Sequence, residues 1–485
     1  MARAAYAPRA PDRAADVPLF LQIARDVAGD IRAGVLRPGA RLPGSRALAH
    51  TLGVHRNTAL AALAELTAQG WVATDPRRGT FVSSTFPEPR VSNRPAPKRR
   101  LALSLPPPAP LDAFPEIGGD VLQLVGGTPD YRLVPTTELA RAYRRALARA
   151  PELLQYGSAW GDPRLRQVLA AMLRDTRSVP VDADSLLITR GSQMALFLLG
   201  RALWTPGSVI AVEAVGYRPC WESLELAGAR VVPLPVDEGG LCLDGLSELL
   251  ERERVAAVYV TPHHQYPTTV TLSAPRRLAL LALARRHRFV IIEDDYDHEH
   301  HYDGRAVLPL ASVDADVVAY VGTLSKVFAP GVRLGYVAAR PEILERAAAV
   351  RLFIDRSGDH VVERALSELI EDDWLGRHVR RVRREYEARR DALVDELGRL
   401  LGGALSFRVP GGGMSLWARI EAAGVSSDAW AERALARMVL VHPARRFRFD
   451  GREAPFLRLG FAPHTPEEIR TAVERLARAL PSVRC

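Results

Sequence analysis

The chain contains almost no lysine. Of its 65 lysine and arginine residues only Lys98 and Lys326 are lysines. Arginine can replace most surface lysines, but it cannot act as a nucleophilic amine because its guanidinium stays protonated. Lys326 is therefore a candidate for covalent chemistry, whereas Lys98 lies in a basic, proline-rich stretch. The alternative interpretation is that Lys326 merely escaped the arginine bias.

Cysteines and long apolar runs are also scarce. The 3 cysteines, Cys220, Cys242 and Cys485, cannot form a disulfide framework. No run of about 18 or more residues is apolar, so no membrane-spanning helix is predicted. The first residues carry arginines but no apolar segment like that of a signal peptide. A cytoplasmic location without membrane contact is the default expectation.

Positive charge is concentrated at the start of the chain. Residues 1–100 contain 16 lysines or arginines and 7 acidic residues, and the rest of the chain carries 49 of each sign. The net charge of +9 therefore belongs to the first fifth of the sequence. Such an excess favours contact with a polyanion, and nucleic acid is the leading candidate. A solvated basic arm is the alternative.

The pattern along the 485 residues divides the chain into three parts, since this length exceeds one compact core. Residues 1–83 are predicted to form a small domain of helices and a hairpin. Residues 84–120 are rich in proline, arginine and serine and are predicted to be a linker. Residues 121–485 alternate apolar β-like runs with amphipathic stretches. That alternation predicts an α/β domain with a mostly parallel sheet covered by helices.

The first part is predicted in more detail. Helices are expected over residues 17–33, 46–52 and 56–69, and short strands over residues 71–73 and 80–82. Ser45 is expected to cap the second helix. The inward-facing residues of the third helix are expected to be Ala59, Leu60, Leu63 and Leu66.

The stretch RLPGSRALAHTLGVHRNTALAALAELTAQGWVATDPRRGTFV resembles the GntR-type winged helix-turn-helix, which implies an α+β DNA-binding domain. The Leu-Pro-x-Ser-Arg entry, the Arg-Asn-Thr helix start and the Gly-Thr-Phe-Val exit all occur in register. A recognition helix presents its N-terminal residues to the major groove. Those residues are His55, Arg56, Asn57 and Thr58. Arginine can bond guanine, and asparagine can bond adenine.

Other residues of this domain are placed to contact the DNA backbone. Arg41, Ser45 and Arg46 are candidates for gripping phosphate, and Arg77 and Arg78 at the wing are candidates for the backbone or minor groove. For each arginine alone, a solvated charge is the competing interpretation.

Residues 121–480 resemble fold-type-I aminotransferases, and the whole chain is similar to the MocR/GabR subfamily of GntR regulators. Lys326 lies in YVGTLSKVFAPGVRLGY, which matches the family's Schiff-base signature for pyridoxal 5'-phosphate. The resemblance implies that Arg333 holds the cofactor phosphate and that the Thr323 and Ser325 hydroxyls add hydrogen bonds.

The run FVIIEDDYDHEH is an apolar strand that ends in acids. A protonated ring nitrogen needs a nearby carboxylate, and only one of Asp294 and Asp295 can face it because a strand alternates faces. The subfamily spacing favours Asp294 and implies that Tyr296 bonds the phenolate oxygen. A charged strand end is the alternative.

Further cofactor contacts are implied by the resemblance. Gly191, Ser192 and Gln193 match the phosphate-binding turn before a helix. Tyr217 aligns with the aromatic residue that stacks on the pyridine ring, with a core tyrosine as the alternative.

One loop departs from the enzymes' pattern. VTPHHQYPTTVTL replaces their Asn-Pro-x-Gly loop, with Tyr266 before Pro267 and Thr269 at the glycine position. The change puts efficient transamination in doubt without excluding cofactor binding.

Near the end, Arg458 in PFLRLGFA matches the arginine that clamps a substrate carboxylate. A structural ion pair is the alternative for this residue.

Of the three functions below, the sequence predicts the first. Lys326, Asp294 and Arg333 argue against an inert scaffold, and the winged helix and the altered loop argue against an enzyme as the main role. The first is a regulator that senses pyridoxal phosphate or an amino-acid-like effector. The second is an active aminotransferase with an accessory DNA-binding domain, and the third is a DNA-binding protein with an inert scaffold. The resemblance implies a head-to-tail homodimer, and no metal site is expected.

Overall fold

The chain divides into two compact units, Met1–Ala113 and Phe114–Cys485. The computed structural model describes residues 6, 8–75, 77–85, 119–303 and 307–481. The predicted linker, residues 84–120, lies outside the described residues except at its two ends. Within the described residues no helix is both long and apolar enough to cross a membrane.

The first unit has the predicted three helices and hairpin. Helices α1 (Leu19–Arg32), α2 (Ser45–Leu52) and α3 (Arg56–Ala68) precede the antiparallel strands β1 (Val72–Asp75) and β2 (Gly79–Val82). Both α1 and α2 pack on α3. Their shared core is built from apolar side chains at helical spacing, among them Ile23, Val27, Leu48, Ala62 and Leu66.

Two details of this unit differ from the prediction. Ser45 is the first residue of α2 rather than its cap, and Gly44 occupies the cap position without a side-chain hydrogen bond. Leu60 is 53% exposed, so its predicted inward orientation is wrong. The buried face of α3 follows Ala59, Ala62 and Leu66. Leu60 lies about 100° around the helix from Ala59 and therefore falls outside that face.

The described part of the second unit contains two main sheets, two further two-stranded sheets and the covering helices. Its strands are β3 (Leu122–Gln123), β4 (Leu186–Thr189), β5 (Val209–Glu213), β6 (Arg230–Leu234), β7 (Val236–Asp237), β8 (Gly240–Leu241), β9 (Val255–Val260), β10 (Val290–Asp295), β11 (Val318–Thr323), β12 (Gly335–Ala338), β13 (Leu405–Phe407), β14 (Ser415–Ile420), β15 (Val439–Leu440), β16 (His442–Pro443) and β17 (Phe456–Gly460). Its helices are α4 (Thr136–Arg149), α5 (Pro163–Arg177), α6 (Ser192–Leu203), α7 (Arg218–Leu226), α8 (Leu243–Arg252), α9 (Ala274–His287), α10 (Leu310–Val313), α11 (Pro341–Leu352), α12 (His360–Glu371), α13 (Trp374–Leu401), α14 (Ser427–Leu435) and α15 (Pro466–Ala479).

The large sheet has the order β4-β12-β11-β10-β9-β5-β6. Only β12 runs against its neighbours, so the predicted mostly parallel sheet is confirmed. Separate apolar cores cover its two faces. Strands β9, β10 and β11 are buried almost throughout, as expected for strands covered by helices on both sides.

The smaller sheet is antiparallel in the order β13-β14-β17-β16. Helices α13 and α15 pack against each other beside it, and the sheet shares a third apolar core with them. The short strand β3 pairs with β15 in a separate two-stranded sheet, which ties the start of this unit to the segment just before β16. The candidate site lies where residues following β4, β10 and β11 meet residues of this smaller sheet, at the carboxyl ends of parallel strands.

Candidate cofactor site and nucleic-acid interface

Lys326 lies in the turn that follows β11. Its Nζ donates a hydrogen bond to the carbonyl oxygen of Gly127 at 2.5 Å. Desolvation by the surrounding protein, followed by repulsion from Arg458, lowers the pKa of Lys326 to about 8. A larger fraction of this amine is therefore neutral near pH 7 than for an ordinary lysine, and the neutral amine is the nucleophilic form.

The two adjacent aspartates at the end of β10 point into different environments. Asp294 accepts a hydrogen bond from the Tyr259 hydroxyl at 2.8 Å, and burial raises the pKa of Asp294 to about 7 although Lys326 acts to lower it. Asp295 accepts from the Tyr320 hydroxyl at 2.6 Å and lies 3.8 Å from the Arg177 guanidinium. Only Asp294 therefore shares the surroundings of the amine.

The turn before α6 is packed against Arg333. Gly191 has a positive φ of 81° and precedes Ser192 and Gln193, whose backbone begins the helix. The Arg333 Nη2 atom donates to the carbonyl oxygen of Arg190 at 2.9 Å, and a Cβ on Gly191 would lie 3.0 Å from Nη2. The structure thus brings a guanidinium to the helix N-terminus, an arrangement that suits a phosphate.

Two hydroxyls from the Lys326 turn differ in their partners. Thr323 Oγ1 donates to the Leu334 carbonyl oxygen at 3.3 Å and accepts from the Ser325 backbone N–H at 3.1 Å. Ser325 Oγ is buried and makes no hydrogen bond within the described part of the chain. Since buried hydroxyls normally have a partner, Ser325 fits a ligand oxygen better than Thr323 does.

The rings of Tyr217 and Tyr296 both pack against that of Tyr266. The Tyr217 and Tyr266 rings meet edge to face with centroids 5.3 Å apart, and the Tyr296 ring is 5.9 Å from that of Tyr266. The Tyr296 hydroxyl donates to the carbonyl oxygen of His264 at 2.9 Å. Donation from Tyr296 to the phenolate oxygen of the cofactor stays a prediction.

Arg458 projects from β17 and is 2% exposed. Its guanidinium carbon lies 4.1 Å from the centroid of the Tyr266 ring. Its Nε and Nη1 make no hydrogen bond, and no carboxylate among residues 119–303 and 307–481 forms an ion pair with it. The alternative of a structural ion pair thus has no partner in the described residues.

Three residues of this site were not predicted from the sequence. A Cβ on Gly126 would lie 2.5 Å from Arg458 Nη1, and a Cβ on Gly127 would lie 3.8 Å from Lys326 Nζ. Tyr259, the hydrogen-bond donor to Asp294, is fully buried in an apolar strand. The paired glycines were visible as a signal of close backbone approach, but nothing in the sequence distinguished Tyr259 from a core residue.

The donor set fits pyridoxal phosphate. An amine, an orphaned hydroxyl, a helix N-terminus with an arginine, and a buried carboxylate all lie in one unit. Asp294 Oδ1 also makes no hydrogen bond within the described residues, so it is available to a ring nitrogen.

In the first unit, the residues predicted to contact DNA lie largely on its surface. Arg41, Arg46, Arg56, Arg77 and Arg78 are exposed and form no ion pair with any described residue. The remaining predicted residues are exposed (His55, Asn57) or half-buried (Ser45, Thr58). His55 caps α3, and its Nδ1 accepts from the backbone N–H of Asn57 at 3.3 Å.

Arg41 lies beside the wing. Its backbone bridges to Phe81 in β2, and its Nε would be 3.2 Å from a Cβ on Gly79. The Arg78 guanidinium lies 5.5 Å from the centroid of the Phe81 ring. Arg41 and Arg78 therefore both flank β2, although they are far apart in the sequence.

Known protein families match both units of the chain. Residues 120–476 match the family described as aminotransferase class I and II, and residues 19–82 match the bacterial regulatory proteins of the gntR family. The probable rhizopine catabolism regulatory protein MocR of Rhizobium meliloti is 31% identical over 96% of this chain and 95% of its own length.

Two aminotransferases match about three quarters of the chain. Aromatic-amino-acid aminotransferase 1 of Thermococcus litoralis is 31% identical over 74% of this chain and 88% of its own length. The crystal structure of an α-aminoadipate aminotransferase from Thermus thermophilus, complexed with N-(5'-phosphopyridoxyl)-L-leucine, has a TM-score of 0.69 and 31% identity. It covers 74% of this chain and 92% of its own.

The regulator of Rhizobium meliloti aligns over nearly the whole chain, whereas the two aminotransferases align over about three quarters of it. The chain therefore belongs to the MocR/GabR-type regulators, in which a GntR winged helix is fused to a pyridoxal-phosphate-dependent domain of the class I and II aminotransferase family.

Proposed function

We propose that this regulator holds pyridoxal phosphate at Lys326 and senses an amino-acid-like ligand whose carboxylate binds Arg458. One observation carries the proposal. Arg458 is a buried cation without an ion-pair partner among the described residues, and its charge acts on the Lys326 amine. A buried, unpaired guanidinium is costly unless a carboxylate completes it.

The cofactor would supply an aldehyde that reacts with amines and a ring nitrogen that favours an anionic neighbour. Lys326 would hold the aldehyde carbon, and Asp294 would keep the ring nitrogen protonated. Arg333, Ser325 and the backbone of the Gly191 turn would orient the phosphate.

A ligand amine that displaces Lys326 would bring its carboxylate towards Arg458. The freed lysine amine and the neutralised guanidinium are changes that only the ligand-bound state contains. A ligand shifts a conformational equilibrium only through such differences between states. Coupling to the DNA-binding domain would follow from them.

The experiment compares Arg458→Ala with Arg419→Ala, an exposed arginine on the neighbouring strand β14. Both variants should keep the cofactor's visible absorption band. Only Arg458→Ala should lose the spectral response to amino acids and their effect on operator affinity, measured by fluorescence anisotropy. An unchanged response in Arg458→Ala would contradict the proposal and favour pyridoxal phosphate itself as the signal.

Catalysis is the second candidate function, because aminotransferases match three quarters of the chain. Against it, Tyr266 and Thr269 replace family loop residues, and Thr269 has a left-handed φ of 64°. A turnover assay with paired amino and keto acids decides the question. Multiple turnovers per chain would establish an enzyme, whereas one exchange of the amino group per chain is expected of a sensor.

A homodimer in the cytoplasm, where the DNA is, completes the proposal. Several large apolar side chains of the second unit are exposed, including Tyr156 at 81% and Phe353 at 89%. The Arg356 guanidinium lies 4.4 Å from the centroid of the Tyr156 ring, which places the two segments together. An exposed apolar surface of this kind marks an association site. Light scattering after size exclusion should give twice the mass of 53.1 kDa.

A further inference from the structure

Three histidines lie together beside Asp295, the residue that follows Asp294 in β10. His263 follows β9, and His298 and His301 follow the adjacent parallel strand β10. All three are buried, at 2%, 7% and 8% exposure. One ring nitrogen from each lies within 4.8 Å of the others. We call this group the histidine cluster.

The ring nitrogens of the histidine cluster lack ordinary partners. Neither ring nitrogen of His263 makes a hydrogen bond within the described residues, and the same is true of His301 Nε2. Buried polar side chains are nearly always hydrogen-bonded. Unsatisfied imidazole nitrogens that lie within 4.8 Å of one another are therefore candidates for metal ligands, because each neutral ring offers one lone pair.

The arrangement of the rings suits one metal ion. Ring centroids are 4.7, 5.3 and 5.4 Å apart, and the planes are inclined by 76°, 59° and 86°. Three imidazoles on a tetrahedral ion with Zn–N bonds of about 2 Å would have centroids about 5 Å apart. Rings that packed only as apolar surfaces would have no reason to converge their nitrogens.

Asp295 lies beside two of these rings. Its Oδ2 is 2.9 Å from His298 Nδ1, and its Oδ1 is 3.5 Å from His263 Nδ1. Arg177 and the Tyr320 hydroxyl hold the same carboxylate in place. Neither contact has the geometry of a hydrogen bond, but both place the carboxylate within reach of an Nδ1 proton. A carboxylate that accepts from Nδ1 orients a histidine for metal binding through Nε2.

We propose that His263, His298 and His301 bind one divalent transition-metal ion of the zinc class, with Asp295 as the carboxylate that orients the rings. Neutral imidazoles favour such ions over Mg²⁺ or Ca²⁺. The ion joins the segments that follow β9 and β10 and thereby fixes the strand end that carries Asp294. This role is independent of effector sensing at Arg458.

The test uses the untagged full-length protein, stripped with a chelator and titrated with Zn²⁺. Metal content by mass spectrometry should be one Zn²⁺ per chain, both with the cofactor bound and after its removal. Equal uptake in both states separates this site from metal held by the cofactor itself. Absence of tight Zn²⁺ binding in the wild-type protein would overturn the proposal.

Variants locate the ion. His298→Ala and His301→Ala should each weaken Zn²⁺ binding at least tenfold, and Asp295→Asn should weaken it about 10–100-fold. His287→Ala, which removes a histidine outside the cluster at the end of α9, should not change it. Undiminished uptake by both His298→Ala and His301→Ala would refute the assignment.

A second measurement does not depend on the variants' folding. Co²⁺ added to the stripped, cofactor-free wild-type protein should give the intense visible bands of a four-coordinate ion. Only the weak bands of a six-coordinate ion would overturn the assignment.

Discussion

At the scale of single residues, two buried cations of the site, Lys326 and Arg458, lie close enough to affect each other. Lys326 and Arg458 repel each other, and desolvation also disfavours the charged amine. The repulsion is expressed in the lowered pKa of Lys326. The acidic neighbours Asp294 and Asp297 act in the opposite direction but do not restore the ordinary pKa.

Cofactor capture should therefore depend on pH through Lys326. Its pKa is lowered to about 8, so the reactive neutral fraction grows as the pH rises towards 8 and is nearly complete above it. Below that pH the rate of covalent capture by cofactor-free protein should fall about tenfold per unit. Stopped-flow absorption would measure this rate.

The same profile offers an internal control. Arg458→Ala removes the repulsion and should move the midpoint to higher pH, whereas Arg419→Ala should leave it in place. A profile that is flat between about pH 6 and about pH 9 would contradict the assignment of Lys326.

Asp294 allows a second test at this scale. Asp294→Asn removes the anion that would face the ring nitrogen, and a charge-assisted hydrogen bond contributes about 1.5–3 kcal/mol. Cofactor affinity, measured by equilibrium titration, should fall roughly 10–100-fold. Asp316→Asn, at an aspartate whose side chain is 62% exposed, should bind the cofactor as before. If the two variants bind equally well, Asp294 has no such role.

At the scale of secondary-structure elements, α3 and the wing are expected to contribute differently to DNA binding. Arg56 lies in the first turn of α3, where a recognition helix contacts base edges, and Arg78 lies between β1 and β2. Backbone N–H groups of Arg77 and Arg78 donate to Asp75 Oδ1 at 2.8 and 3.0 Å, which orders the turn. Arginines at these two places fit contacts to two parts of a duplex.

Substitutions in α3 and in the wing should have different effects on operator specificity and on overall affinity for DNA. Arg56→Ala should lower affinity for the operator by about 1–3 kcal/mol while changing binding to random DNA much less. Arg78→Ala should weaken both to a similar extent. Arg25→Ala removes the same charge from an exposed position on α1 and serves as the matched control. Equal losses on both DNAs for Arg56→Ala would contradict the assignment of α3, and mobility-shift titrations measure all three.

At the scale of the whole molecule, charge is divided between the two parts of the chain. The excess of +9 lies in the first 100 residues, and the remainder is balanced. Electrostatic binding to a polyanion should therefore arise from the start of the chain, whereas the cofactor domain contributes little net attraction.

The effect of salt concentration should differ between the DNA-binding domain and the cofactor domain. If about four arginines of each winged helix neutralise phosphates, the logarithm of operator affinity should fall with that of salt concentration with a slope of about −4 per domain. The spectral response of the cofactor to an amino acid should change far less over the same range. A salt-independent operator affinity would contradict a phosphate-binding role for these arginines.

The sequence by itself determined the α/β pattern, the winged-helix segment and the outstanding position of Lys326. The elements could be predicted because apolar periodicity and turn residues are local patterns of sequence. Lys326 could be singled out because the composition of the chain contains almost no other lysine. The prediction for Leu60 failed because an apolar residue at the edge of a helix face has no neighbour in sequence that specifies its exposure. Strand β10 shows the same limit of sequence-based prediction. Alternation along the strand required Asp294 and Asp295 to face opposite sides, but it did not specify which groups each would contact.

Tertiary structure alone decided what those side chains meet. Tyr259 reaches Asp294 from the next strand, Gly126 makes room for Arg458 from a distant part of the sequence, and two separate segments bring the histidine cluster together. Contacts of this kind depend on which strands become neighbours and on how closely two segments approach. Those distances arise when the whole core packs, so no local pattern can encode them.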